Sequence, residues 1–285
     1  MNLSSASISL GLATFRSQAM NSLFNSADTA SEDALWASLT RQPVVEKGAV
    51  SASLNGISPA GRNLALFDPE SAYKMMSVIN HNDVSYKAQF SELSQMKSDI
   101  SQMEAEGLAL GQLSSSSSNG EMATRLQQFV GQYNAWVERF DPDLQSGGLL
   151  ADTQAAQVAR YELDQSIENG FNGAADGVHG LADLGVVINP NTHLATLDIA
   201  RLDSLLASNR QGAVNTLHQF SANFAKSASL LNSEGNFMPN QLNNLSKVID
   251  YFADHKTALQ NEFGSGDTAR PNAQVAQALA AYKAA

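Results

Sequence analysis

Cysteine is absent from the 285 residues, and that gap removes disulfides, thiolate nucleophiles, iron–sulfur clusters and cysteine zinc sites together. Charge is scarce too: 16% of the side chains are Asp, Glu, Lys or Arg, against about 25% in an ordinary soluble domain. Ser, Asn, Gln and Ala fill the difference. The charges present are unbalanced, 28 acidic to 17 basic for a net charge of −11, and no run of Lys or Arg interrupts them. Such a surface repels phosphate and anionic lipid, which argues against nucleic acid as a partner. No run of about 18 apolar residues occurs, and Met1 to Phe15 is uncharged and Ser-rich, without a basic n-region or a continuous apolar h-region. The expectation is no membrane insertion and no cleaved signal peptide. Such a chain is either cytoplasmic or exported by a route that reads an uncleaved N-terminus.

What is present is helical periodicity. A 43% hydrophobic chain of this length has material for one large core or two small ones. Ile8, Leu12, Phe15, Ala19 and Leu23 recur at steps of three and four, an amphipathic helix within residues 1–43. Residues 44–69, with Gly48, Gly56, Pro59, Gly61 and Pro69, read as a linker. The period returns over 70–113, where Tyr86, Phe90, Leu93, Met96, Ile100, Met103 and Leu110 predict a long helix with one narrow apolar seam. Five serines and Asn119-Gly120 then read as a flexible join, 114–120.

Over 121–263 three signals alternate. Met122, Leu126, Phe129, Tyr133, Trp136 or Val137, and Phe140 predict a helix ended by Asp141-Pro142, and Asp152 is placed to N-cap a third helix carrying Ala155, Ala159, Leu163 and Ile167. Leu184, Val186 and Ile188, then Asn189-Pro190-Asn191-Thr192 and Leu194 to Leu197, predict a small β-hairpin near 184–197. Asp198 stands at an N-cap position, with Leu202, Leu205 and Leu206 behind it. Two helices come next, one with Leu217, Phe220, Phe224 and Leu231, the other with Leu242, Leu245, Ile249, Phe252, Leu259 and Phe263. Residues 264–285 read as a helical or frayed tail. The expected fold is therefore mainly α, an elongated helical or coiled-coil bundle with a small β-hairpin.

The succession Phe129-Val130-Gly131-Gln132-Tyr133-Asn134, Gly148-Leu149-Leu150-Ala151-Asp152, and Leu181-Ala182-Asp183-Leu184-Gly185-Val186 with Leu194, Leu197-Asp198, Leu202, Leu205 and Leu206 resembles the C-terminal region of the flagellar hook-associated protein 2 family, the filament cap proteins. Val214, Leu217 and Gly235-Asn236-Phe237 fit the next stretch and turn of that family, so the likeness spans about residues 121–252. Tyr86-Lys87-Ala88-Gln89-Phe90 and Leu93 to Ser98 resemble the family's N-terminal coil. The resemblance implies a shortened form in which the two coil-forming ends are joined without the large outer domains. It also implies mutual pairing of the Tyr86–Leu113 and Leu242–Phe263 helices at the base of a stalk. Departures from the family pattern are His193 where Gly is usual, His218 where Phe is usual, and the interruption at Gly264, Gly266 and Pro271.

Chemistry-bearing motifs are sparse. The five histidines, His81, His179, His193, His218 and His255, show no metal-ligand spacing, and Asp141 with Asp143 beside Pro142 reads as turn chemistry. Neither a phosphate-cradling Gly-rich loop nor a Gly-x-Ser-x-Gly elbow occurs. No enzyme activity, cofactor, metal or catalytic residue is expected. Instead the seams are the interaction candidates: Ile8, Leu12 and Phe15; Phe90, Leu93, Ile100 and Met103; Leu242, Leu245, Ile249 and Phe252. A narrow apolar stripe must be covered, by its own chain or by a neighbour. The resemblance further implies self-assembly into a homo-oligomer, binding of flagellin or other filament subunits, an export chaperone, and an extracellular location on the bacterial flagellum. The alternative is a cytoplasmic helical adaptor or scaffold that keeps a cap-like domain.

Overall fold

A computed structural model describes residues 69–284. The predicted amphipathic helix with Ile8, Leu12 and Phe15, and the predicted linker, lie outside the described residues. What is described is mainly α, as the periodicity predicts. Six helices and a two-stranded sheet follow in the order α1 (Pro69–Leu110), α2 (Asn119–Leu144), α3 (Gln154–Glu168), β1 (Val186–Ile188), β2 (Ala195–Leu197), α4 (Ile199–Asn232), α5 (Phe237–Phe263) and α6 (Ala273–Ala284).

Helix α1 is the spine. Its buried residues Met76, Ile79, Leu93, Met96, Ile100, Met103 and Leu110 keep the three-four spacing, but no single partner helix covers them. Along the N-terminal half lie α5, α6 and the segment between them. There Tyr86 stacks on Phe252 at 6.3 Å and Phe90 meets Tyr282 edge-on at 5.9 Å. Asn80 Nδ2 donates to the carbonyls of Ser265 and Asp267, and Tyr73 Oη donates to Asp267 Oδ1. Gly266, at φ +61, passes so close that a Cβ there would lie 2.5 Å from the Ser77 backbone nitrogen. Along the C-terminal half lie α2 and α4. A Cβ on Gly107 would lie 2.6 Å from the Phe224 ring, so glycine sets how closely α1 and α4 approach. Behind that crossing Phe129, Phe220 and Phe224 form an aromatic trio with centroids 5.0–5.5 Å apart.

The serine run differs from the expected flexible join. Ser117 N–H closes a turn on Ser114 O, Arg210 donates to Ser117 O, Ser115 donates to Gln211, and Ser118 Oγ accepts from Glu121 N as the N-cap of α2. Short hydroxyls that satisfy backbone donors locally make a tight corner. Pro142 does not end α2, which runs on to Leu144. Proline forfeits one backbone donor, and the last turn is held by Arg160 on Asp141 and by Leu150 N–H on Asp143 O. The cap of α3 is Thr153 and not Asp152, without a side-chain bond. The predicted tail is the helix α6.

The hairpin forms where predicted, antiparallel, with Val186 opposite Leu197 and Ile188 opposite Ala195. Asn189 Oδ1 accepts from the N–H groups of Asn191 and Thr192, and His193 takes φ 56, a left-handed conformation in which glycine is unstrained. Asp198 Oδ1 caps α4 through Arg201 N.

Candidate functional site

The predicted seam residues are core. Leu93, Ile100 and Met103 of α1 and Leu245, Ile249 and Phe252 of α5 are buried within this one chain, and Phe90 and Leu242 are half-buried against the same core. Of the two kinds of cover the sequence leaves open, the chain's own helices supply it for these residues. Several helices of the same subunit close around α1: α2, α4, α5 and α6. The expected pairing of the two seam helices does occur, through contacts such as Tyr86 with Phe252.

Two polar clusters that spacing alone did not single out lie inside the fold. In the first, buried Arg160 of α3 bridges Asp141 of α2 and Asp164 of its own helix, with 3.0 Å from Nε to Asp164 Oδ2. Tyr133 of α2 donates its one hydroxyl proton to Asp164 Oδ1 at 2.7 Å, and the His193 carbonyl oxygen lies 3.0 Å away as a second acceptor. His193 Nδ1 stands 3.6 Å from Asp164. Tyrosine, aspartate and histidine in contact resemble a proton relay, but the energetics are structural. Burial first, then the Asp164 hydrogen bond, hold the Tyr133 hydroxyl far above its ordinary value, so it keeps its proton. The neighbouring Asn134 donates to Ala195 O at 2.8 Å and accepts from Ala195 N at 2.7 Å, pairing with β2 as a further strand would. Tyr133-Asn134, which carry part of the family resemblance, thus fasten the hairpin to α2.

In the second cluster Arg139 of α2 meets Glu92 of α1 at 2.6 Å and Asp143 at 3.7 Å. Both carboxylates are buried, and Gln274 of α6 donates to Asp143 Oδ1. Burial and then the Glu92 charge push the Asp143 carboxyl up to about 6, with Arg139 opposing. Beside this cluster a cleft of about 350 Å³ is lined by Gln95, Asp99, Gln132, Ala135, Trp136 and Arg139. Of the buried cluster only Arg139 reaches it. A carboxyl with a raised pKa is the signature of a general acid, but Asp143 does not line the cleft and faces Gln274 instead of a substrate path.

The histidines are dispersed. His179 sits 3.4 Å from Asp183, His218 Nε2 lies 2.6 Å from Leu113 O, and His255 stacks on Tyr251 at 4.2 Å. The His179 backbone N–H, with Arg201 adding, holds Asp183 below the usual carboxylate range. Among the described residues no group of three His, Asp or Glu side chains could hold a metal ion, and no helix is long and apolar enough to cross a membrane. Exposed apolar side chains are scattered, with Phe171, 85% exposed in the turn after α3, the most open. No family model, curated protein or solved structure matches the chain.

Proposed function

We propose that this chain is a structural, non-enzymatic protein of the filament-cap type, exported to the bacterial flagellum, where it self-associates and binds flagellin or other filament subunits. One observation carries the reading: the segments that resemble the cap family are successive parts of one cored body, with Tyr133 and Asn134 fastening the hairpin and α1 packed on α5. The enclosure of the two described seams leaves self-association to other residues, among them Ile8, Leu12 and Phe15 in the sequence pattern of 1–43. A second reading draws support from the same enclosure: a closed helical unit also suits a cytoplasmic adaptor or scaffold. Fractionation separates the two. Recovery in sheared flagellar filaments supports the first, and retention inside cells whose flagellar secretion is intact supports the second. Light scattering during size-exclusion chromatography of the full chain adds the oligomer test; a monomer at every concentration counts against cap assembly.

A further inference from the structure

Little holds the last helix. In α6 only Ala278 is fully buried; Gln274, Val275, Leu279 and Tyr282 are half-buried, and the remaining residues face solvent. Twelve residues are too few for a stable isolated helix in water, so α6 depends on its docking. Its N-terminal turn docks on a charge imbalance. Gln274 Nε2 donates to Asp143, which is 1% exposed, and Asp143 shares the single guanidinium of Arg139 with Glu92, which is 4% exposed. Two buried carboxylates on one cation leave a net negative charge out of water, the arrangement that burial penalises most. We propose that Asp143 is a proton-controlled latch for α6: the helix docks over the protonated carboxyl and is released as the carboxyl ionises.

The direction is set by the consequences of lifting α6. Water would reach Asp143, replace the Gln274 N–H and screen the Glu92 charge, and the ionised form would become easier to hold. Docking and proton uptake are then one linked equilibrium. With α6 in place the Asp143 carboxyl sits near 6 against an ordinary 3.8, so docking is strongest on the acid side and weakens as the pH rises through about 6. Of the charged groups on α1, Asp83 and Lys87 pair with each other and His81 is exposed, and Lys283 on α6 itself is exposed. Of those flanking Asp143, Asp141 is held by Arg160, and Asp99 lines the cleft beside Arg139.

The absence of cysteine makes the test clean, because Ala281→Cys on the exposed side of α6 gives one spin-label site in the full chain. The expected spectrum is largely immobilised at about pH 5, with a mobile-to-immobilised ratio that grows by up to ~10-fold per pH unit until the pH passes about 6 and then levels off. The midpoint of the transition is expected near 6, while circular dichroism retains the signal of the other helices. With Asp143→Asn added, the label is expected to stay immobilised throughout; with Glu92→Gln added, the midpoint is expected to move upward, because an ionised Asp143 would then no longer face a second negative charge and Arg139 would be left to it alone, so docking survives to higher pH. A parent spectrum that does not change with pH overturns the latch. So does a transition that persists in Asp143→Asn, or one carried instead by His81→Asn. If Asp143→Asn does not fold, Glu92→Gln decides, and an unmoved midpoint there overturns the proposal.

Discussion

Asn134 does two things with one side chain, donating to Ala195 O and accepting from Ala195 N, both part-buried between α2 and the buried Ala195. Asn134→Leu keeps the bulk and strands two backbone groups. Each stranded buried group costs about 1–3 kcal/mol, so the variant is expected to lose about 2–4 kcal/mol in urea unfolding, with the hairpin amides losing exchange protection first. Asp143 supplies the pH dependence at this scale. Its pKa is raised on folding, from 3.8 to about 6, so the stability it contributes is fully present below 3.8 and is lost as the pH rises through 6. The difference is about 3 kcal/mol at most. Urea midpoints are expected to fall between about pH 4.5 and pH 7.5 in the parent and to fall less in Asp143→Asn, and the reverse order would contradict the buried charge imbalance. Neither residue announces its role by spacing. Asn134 lies on a polar step of an amphipathic helix, and Asp143 comes directly after a proline that reads in the sequence as the end of the helix although the helix runs through it.

At the scale of elements, the parts legible in the sequence are those whose signals are local. Asp198 caps α4 because a short carboxylate there reaches the Arg201 N–H, Asn189 to Thr192 turn the hairpin because Asn189 accepts from its own loop, and α5 stops at Phe263 because Gly264 takes φ 81. The parts misread depend on distant partners. Ser114 to Ser118 form a corner held by Arg210 and Gln211 of α4 as well as by their own hydroxyls, and Pro142 sits inside α2, whose last turn is held by Arg160 of α3 and the Leu150 N–H. The gap in apolar spacing between Leu206 and Ala213 is a kink in one helix. Asn209 leaves helical geometry at φ −148, ψ 64, its Oδ1 accepts from Gly212 N, and its Nδ2 donates to Asp176 O. It acts as an internal N-cap for the second half of α4. Asn209→Ala is expected to cost about 1 kcal/mol in thermal or urea unfolding. Asn209→Asp, which keeps the acceptor and loses the donor, is expected to recover part of that, and equal losses in the two variants would mean that the cap is not what stabilises the bend.

At the scale of the whole molecule, a three-four apolar stripe has the same sequence whether its partner is a neighbouring helix of the same chain or another subunit. Periodicity predicts that Leu93, Ile100 and Leu245 need cover and cannot say whose. The fold answers for this pair of seams, and the two answers make opposite demands on mutants. Ile100 is fully enclosed, so Ile100→Asp places a carboxylate in the core and is expected to abolish folding or cost more than about 4 kcal/mol. Ile100→Ala, a gentler probe, is expected to cost about 2–4 kcal/mol, with the association state of whatever folded protein remains left unchanged. An interface residue would behave the other way, with a stable subunit and a shifted oligomer equilibrium in light scattering. Phe171 provides the contrast. At 85% exposure it contributes almost nothing to the core, so Phe171→Ser is expected to leave unfolding within about 0.5 kcal/mol of the parent. Any loss of association in that variant then comes from a surface contact, and a loss of association in Ile100→Ala at unchanged stability would return the α1 seam to the role of an interface.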